Sequence, residues 1–504
     1  MIIGCTDLDE VVLDGIVPEA GGAGASDLVG ITNQLKAVQD GQAKILGLGE
    51  MTTDCFAGPT RGGDWDDNAE LRQMHAHTWG PEHAWIRNMY NDILTGVFNC
   101  DVVLANSSQS SIHADAKFMK ALFYYYMIDM FGGTPYRPSL DDLNEAPLVY
   151  SRAEAFEQAV TLATEALSAL PEKTSGNATS ANKDAARFLL AKLYLNKAVY
   201  MSEPGTTSYT FDAADMTQVI SNVNAMTSTL NTSGATNGAK YWLNFAPNNN
   251  TSNEVVLSIQ NIAGDDTYGE NRWHWRMGMH YNQTPGGWNG PVIVGEFYDK
   301  FLENGVAEGA DPRATYSDAY ITTNFGNPVG IQRGQLYAPG GTTPLQTREQ
   351  NGSLPLVLTK EIELVVSQPN LLERGGFRPM KYIPDITNLD RPDNDIVIFR
   401  YADALLMRAE AALRGGTGGN AQADLDAIRS RVGLSPISAN LDNVFEERAR
   451  ELWLEGWRRS DMIRFGTFLD ARELKPTESD PKYLLFPFPA DALLNPNITQ
   501  NPGY

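Results

Sequence analysis

The stretch FRYADALLMRAEAAL, Phe399 to Leu413, decides the fold class. Its apolar positions, Ala402, Leu405, Leu406, Ala409, Ala412 and Leu413, recur every three or four residues and make one stripe along a helix. Gly415-Gly416 interrupts the pattern, and Ala421, Leu425, Ile428 and Val432 form a second stripe. Two amphipathic helices separated by a glycine break make a hairpin of the tetratricopeptide type. Residues 153–170 repeat the theme with Phe156, Ala159, Val160, Ala163, Ala166, Leu167 and Leu170, closed by Pro171. Ala185, Phe188, Leu189, Leu193 and Tyr194 mark the partner helix over 184–201. Two more helices are predicted from Trp85 to about Asn106 and from Asp115 to Phe131, the second apolar almost all round and so buried on most sides. The expected architecture is mostly α, with about four divergent helix pairs as its scaffold.

Over residues 203–395 the composition turns to Gly, Asn, Thr, Pro and scattered aromatics, with only short strand-like runs such as Glu254 to Ile259. This predicts a large loop-rich insertion with a few short strands, inside one composite domain spanning 6–504. Ordered loops on a rigid scaffold are where binding residues concentrate, so 203–395 is the expected ligand-binding insertion. From Phe486-Pro487-Phe488-Pro489 through Asn495-Pro496 to Asn501-Pro502 the prolines forbid a helix, and the chain should run extended over the surface.

The formal charge of the 504 residues is −23, a balance that repels phosphate backbones and argues against nucleic acid and polyanionic ligands. A neutral ligand is expected. No run of about 18 consecutive apolar residues is available to cross a bilayer. The three cysteines, Cys5, Cys55 and Cys100, match neither a zinc site nor a disulfide framework. Cys5 ends the run Ile2-Ile3-Gly4-Cys5, which reads as the remnant of a lipoprotein cleavage box over residues 1–5, its cysteine the lipidation site. The charged start and the apolar core of a secretory signal do not precede it, which implies a start that is trimmed or set downstream. The competing reading makes Cys5 an ordinary cysteine near a native N-terminus.

Residues 446–464 place Glu446, Glu447, Arg448, Arg450, Glu451, Glu455, Arg458, Arg459, Asp461 and Arg464 at helical spacing, with Trp453 and Trp457 one turn apart. Each carboxylate has a nearby arginine, so this is read as one architectural helix latticed by ion pairs and not as a set of acids and bases. Together, the 399–411 motif, the 447–464 helix, Asn495-Pro496 and Gln500-Asn501-Pro502-Gly503-Tyr504 closely resemble the SusD/RagB-like family. Ala121-Leu122-Phe123-Tyr124-Tyr125, Phe131-Gly132-Gly133-Thr134-Pro135 and Pro59-Thr60-Arg61-Gly62-Gly63-Asp64-Trp65 extend the resemblance over essentially the whole chain. It implies an outer-membrane, lipid-anchored, cell-surface protein of Bacteroidetes that works as the lid of a SusC-like TonB-dependent barrel in polysaccharide utilisation, and that captures a glycan without chemistry or cofactor.

Sugars offer apolar C–H faces and many hydroxyls, so a glycan site needs aromatic planes beside short carboxylate, amide or guanidinium groups. Two segments carry that mixture. The first holds Asp64, Trp65, Asp66, Asp67, Asn68 and Arg72, followed by Trp79, Trp85 and Asn88; the second holds Tyr268, Asn271, Arg272, Trp273, Trp275, Tyr281, Asn282, Trp288 and Asn289. Trp85 and Asn88 sit three residues apart on one predicted helix and resemble the stacking Trp and partner Asn of glycan-binding family members. The expected glycan contacts are Asp64, Trp65, Asp67, Asn68, Trp85, Asn88, Trp273, Trp275, Tyr281, Trp288 and Asn289. Core packing competes as an explanation for Trp79 and Trp85, whereas Trp273, Trp275 and Trp288, set among Gly and Asn, should be exposed.

His75 and His77 are spaced too awkwardly for a metal pair, and no metal is expected. Glu296, Asp299, Glu303 and Glu308 leave open a paired-carboxylate hydrolase, although no nucleophile motif supports one. Peptide or glycoprotein capture by the same type of lid and a pure protein-interaction scaffold are the remaining alternatives. The mixture of Trp with Asp and Asn points to a neutral glucan or fructan.

Overall fold

A computed structural model describes residues 25–265 and 272–504. Cys5, Tyr268 and Asn271 lie outside the described residues, as do the rest of residues 1–5, read above as a lipoprotein box, and their acidic neighbours. The helices in chain order are α1 Ala25–Gln39, α2 Ile45–Glu50, α3 Glu70–Ala76, α4 Ala84–Asn106, α5 Ser110–Met130, α6 Arg152–Ala169, α7 Lys183–Tyr200 and α8 Ala213–Asn224, then the short α9 Asn237–Trp242, α10 Gly295–Asp299, α11 Ala319–Phe325 and α12 Leu371–Arg374, and finally α13 Tyr401–Leu413, α14 Ala421–Arg431, α15 Leu441–Leu452 and α16 Arg458–Phe465.

Local chemistry starts these helices where it should. Ser151 and Glu154 form a reciprocal capping box on α6. Asn182, Asp212, Asn420 and Asn440 each accept a backbone N–H at the start of α7, α8, α14 and α15. Helix then packs on helix in a continuous layer: α1 on α4, α4 on α5, α5 on α6, α6 on α7, α7 on α8, α8 on α13 and α13 on α14. α8 lies inside the stretch read as loop-rich, yet its stripe of Met216, Val219, Ile220 and Val223 is buried between α7 and α13. The main apolar core runs from Ile31 to Phe488, and a smaller cluster of Ala402, Leu405, Leu406, Leu425 and Ile428 joins α13 to α14.

The described strands are short. Val255–Ile259 pairs antiparallel with Ile396–Arg400, so the excursion between them leaves and rejoins the scaffold at one place. Arg378–Met380, Val329–Gln332 and Thr315–Tyr316 form a second small sheet within the excursion.

The single helix expected over 446–464 is two helices, α15 and α16, separated by a turn. Leu454 and Gly456 adopt φ of 55° and 84°, outside the helical region, and Gly456 donates its N–H to Glu50 of α2 at 2.6 Å. The charges are not a surface lattice either. Glu447, Glu451, Arg448, Arg450, Arg458, Arg459, Asp461 and Arg464 are all buried. Their partners come from far along the chain. Arg400 meets Glu254 at 2.6 Å, Glu451 at 2.9 Å and Glu455 at 2.7 Å, while Arg313 meets Asp311 at 2.7 Å, Glu447 at 2.7 Å and Glu451 at 3.2 Å. Arg431 reaches Glu254 at 2.6 Å and also pairs with Glu451.

Burial alone would raise the Glu447 carboxyl, but Arg313, Arg450 and Arg429 outweigh it and hold it down at about 2. A carboxyl depressed on folding contributes stability that is present above its unfolded value of 4.5 and is lost as pH falls toward 2. The melting temperature should therefore drop steeply across that interval. Glu447→Gln should lower it at pH 7, the cost being roughly 3 to 5 kcal/mol because three guanidinium groups lose a buried counter-charge. The same variant should show a shallower acid limb, and identical acid limbs in scanning calorimetry would remove Glu447 from this role.

Candidate glycan-binding site

Two segments far apart in sequence meet at the proposed site. The first is a tight turn, closed by Arg61 N–H to the Asp64 carbonyl at 2.9 Å and followed by a run of left-handed residues. Trp65, Asp67, Asn68 and Ala69 have φ of 62°, 39°, 50° and 66°. Each costs about 1 to 2 kcal/mol for a residue with a side chain, and such strain is characteristically held at functional sites. Arg72 steadies the run by donating to the Asp66 carboxylate at 2.8 Å.

The second segment supplies the aromatic floor. The Trp65 indole N–H donates to the Trp288 carbonyl at 3.0 Å, and Trp288 meets Trp273 edge to face with ring centres 5.1 Å apart. Gly290 lies directly beneath Trp65, where an added Cβ would sit 2.2 Å from the ring. Trp65, Trp273, Trp288 and Tyr281 are all half-buried, which leaves part of each ring open, while Asp64, Asp67 and Asn68 are exposed around them. The Tyr281 hydroxyl donates to Asp64 Oδ2 at 3.2 Å. Burial raises that phenol above its usual 10, so it remains a donor at neutral pH.

Behind this wall sits a buried polar layer. His280 accepts the Asn282 N–H on Nδ1 at 3.0 Å, which makes Nε2 the protonated nitrogen that donates to Glu373 at 2.8 Å. Glu373 also receives the Arg348 Nε at 2.7 Å and Asn351 Nδ2. Burial would raise the Glu373 carboxyl, but these donors bring it down to about 2. The Arg348 guanidinium lies 3.8 Å from the centre of the Tyr281 ring. Arg61 is buried and donates to the carbonyls of Leu371 at 3.0 Å, Gly290 at 3.2 Å and Gly375 at 3.1 Å.

Four of the expected contacts are corrected by this geometry. Trp85 is only 4% exposed, facing inward against Gly47, so it offers no stacking face. Asn88, three residues on, points outward and is exposed, and the two do not form a ring-and-amide pair. Trp275 is 1% exposed despite its Gly- and Asn-rich surroundings. Asn289 is fully buried and adopts a φ of 53°. Its amide donates to the Leu372 carbonyl at 2.9 Å and its oxygen accepts from Arg378 at 3.0 Å, so it braces the loop and has no free group for a ligand. Trp79 is also core, its indole N–H on the Tyr504 hydroxyl at 2.9 Å.

The other candidates have structural partners. His75 and His77 are buried against backbone carbonyls of Phe56, Glu473 and Thr52. Glu296 accepts the Glu473 N–H, Asp299 pairs with Lys360, Glu303 with Arg450 and Glu308 with Arg333. The sequence reading missed Arg348 and Glu373. Their only signal would have been the tertiary approach of loop 345–351 and α12 to Tyr281.

Two substitutions separate core from platform. Trp85→Ala should cost about 3 to 5 kcal/mol of stability, seen as a large fall in melting temperature. Gly290→Ala should push the Trp65 ring out of place, changing the near-ultraviolet circular dichroism of the tryptophans, and should weaken ligand binding more than it lowers the melting temperature. Unchanged aromatic dichroism in Gly290→Ala would contradict the close approach.

Residues 366–504 match the model of the SusD family, and residues 34–195 match a model described as starch-binding, associating with outer membrane. The starch-binding protein SusD of Bacteroides thetaiotaomicron is 26% identical over 483 residues, covering 87% of this chain and 82% of that protein. Among solved structures, a laminarin-binding SusD-like protein is similar with TM-score 0.69 at 21% identity, covering 95% of this chain and 98% of that one. Surface glycan-binding protein A from Bacteroides thetaiotaomicron, in complex with laminarihexaose, matches with TM-score 0.67 at 17% identity over 94% of this chain and 98% of that one. Both ends of the chain match models of one kind, and a relative of that kind aligns across most of its length. The chain belongs to the SusD/RagB-like family.

Proposed function

We propose that this protein captures a neutral glycan, a glucan or fructan, at the outer membrane and performs no chemistry on it. The observation that carries this reading is the convergence of half-buried Trp65, Trp273, Trp288 and Tyr281 with exposed Asp64, Asp67 and Asn68. Rings with one open face suit the C–H face of a sugar, and the short polar groups suit its hydroxyls. The solvent-accessible cations named around the site are paired, Arg72 with Asp66, Arg276 with Asp390 and Arg348 with Glu373, while Arg61 and Arg378 are buried. With those charges matched and Asp64 and Asp67 exposed, the site favours a neutral ligand over a uronic acid. The names of the starch-binding and laminarin-binding relatives point the same way.

Family membership supports the remaining parts of the proposal: a lipid on Cys5, exposure at the cell surface, and service as the lid of a SusC-like TonB-dependent barrel, with an interface well beyond roughly 2,000 Å². Co-purification of the acylated protein with such a barrel in mild detergent tests that assignment, and its recovery without the barrel counts against it.

Titration calorimetry with laminarin, soluble starch, inulin and polygalacturonate tests the ligand class. Binding of at least one neutral polymer, no binding of polygalacturonate and unchanged polymer length after incubation are expected. Preferential binding of polygalacturonate, or chain shortening abolished by a single carboxylate substitution, would refute the proposal.

A further inference from the structure

We propose that Arg348 contacts the glycan directly and sets its specificity, its outer guanidinium edge acting with Asp64 to read two adjacent hydroxyls of a pyranose ring. This rests on the glycan reading above and deepens it. Glu373, 2% exposed, receives both the Arg348 Nε at 2.7 Å and the Arg348 backbone N–H at 2.9 Å. Because the guanidinium is planar and rigid, anchoring the Nε edge inward aims the Nη edge away from Glu373. Nη1 and Nη2 have no hydrogen-bond partner among the described residues, and the side chain is 31% exposed. Stacking on Tyr281 at 3.8 Å restricts rotation of the fork.

Asp64 stands at the hydroxyl end of the ring over which Arg348 lies, held by the Tyr281 hydroxyl at 3.2 Å. Asp64 and Arg348 make no ion pair with each other, so two N–H donors and one carboxylate acceptor stand beside Tyr281 with capacity for a ligand. A vicinal diol matches that order of groups, since each hydroxyl accepts from the fork and one also donates to the carboxylate. A lone carboxylate would match the fork as well, but Asp64 and Glu373 flank it with negative charge. The site should accept unsubstituted adjacent hydroxyls and reject rings O-methylated there, because the Asp64 carboxylate would then lose its hydroxyl donor and the methyl group would crowd the guanidinium edge.

The test compares wild type with Arg348→Lys, which keeps the charge but removes the planar fork, using whichever of laminarin and soluble starch wild type binds, together with its O-methylated derivative. Wild type should bind the native polymer ten- to a hundredfold more tightly than Arg348→Lys, at similar melting temperature. Methylation should weaken wild type strongly and Arg348→Lys little, so that the two effects are non-additive. Arg348→Gln serves if the lysine variant fails to fold. Binding by the variant within about twofold of wild type, or additive effects of substitution and methylation, would overturn the role of Arg348 and leave the glycan reading standing. Wild-type binding of inulin alone would overturn the pyranose assignment. Wild-type binding of no neutral polymer would overturn the glycan reading and this inference together.

Discussion

Arg400 has no exposed side-chain surface and is held by Glu254, Glu451 and Glu455 at 2.6 to 2.9 Å. Its position explains much of the molecule. Arg400 ends the strand Ile396–Arg400, which returns the long excursion to the scaffold, while Glu451 belongs to α15 and Glu254 immediately precedes the strand that begins the excursion. Arg313 brings a further point of the excursion to the same carboxylate. Taking one such ion out of water costs several kcal/mol, so the net stabilisation is small, but removing a single member leaves the others uncompensated. The network therefore acts chiefly on specificity of arrangement. Few other packings of the excursion against the helices would satisfy all these charges at once.

A pinned excursion makes a strained site affordable in structural terms. The left-handed run Trp65 to Ala69 would relax in an isolated peptide, yet here it is clamped between the Arg72–Asp66 pair and the loop that ends at Gly290. Arg61, donating to carbonyls of three neighbouring turns, ties that loop to α12 and to the turn that precedes Trp65. The aromatic surface is thus pre-set by backbone contacts that lie beneath it, and the ligand need not order it on binding.

Helical periodicity was readable because each stripe needs only local sequence: α6, α7, α13 and α14 lie within a residue or two of their expected limits. The break between α15 and α16 was not, since Leu454 and Gly456 take left-handed angles there and Gly456 meets Glu50 some 400 residues earlier. Among the aromatics, composition located both segments of the candidate site but could not sort their members. Trp65 and Trp85 look alike in sequence. Only the packing of Gly47 against Trp85, and of Gly290 against Trp65, shows that one ring faces the core while the other keeps an open face. Asn289 misled for a related reason: an amide in a Gly-rich loop reads as a ligand group until Arg378 and Leu372 are seen to occupy both of its ends.

The electrostatics of the chain and of the site follow from one another. The sequence holds 39 Lys and Arg against 62 Asp and Glu, and many of the arginines are consumed in buried pairs. Each such pair buries a carboxylate together with its guanidinium, so the excess of acidic groups stays on the surface. Long-range attraction can therefore contribute nothing to the approach of an anionic polymer, and a neutral polymer feels no steering at all. Recognition has to come from short-range terms that need contact, namely burial of C–H faces on rings and hydrogen bonds of fixed direction. Those terms reward rigidity. The buried pairs are neutral as a set: they lock the excursion in place, and with it the aromatic platform, while the excess of carboxylates keeps the exterior acidic.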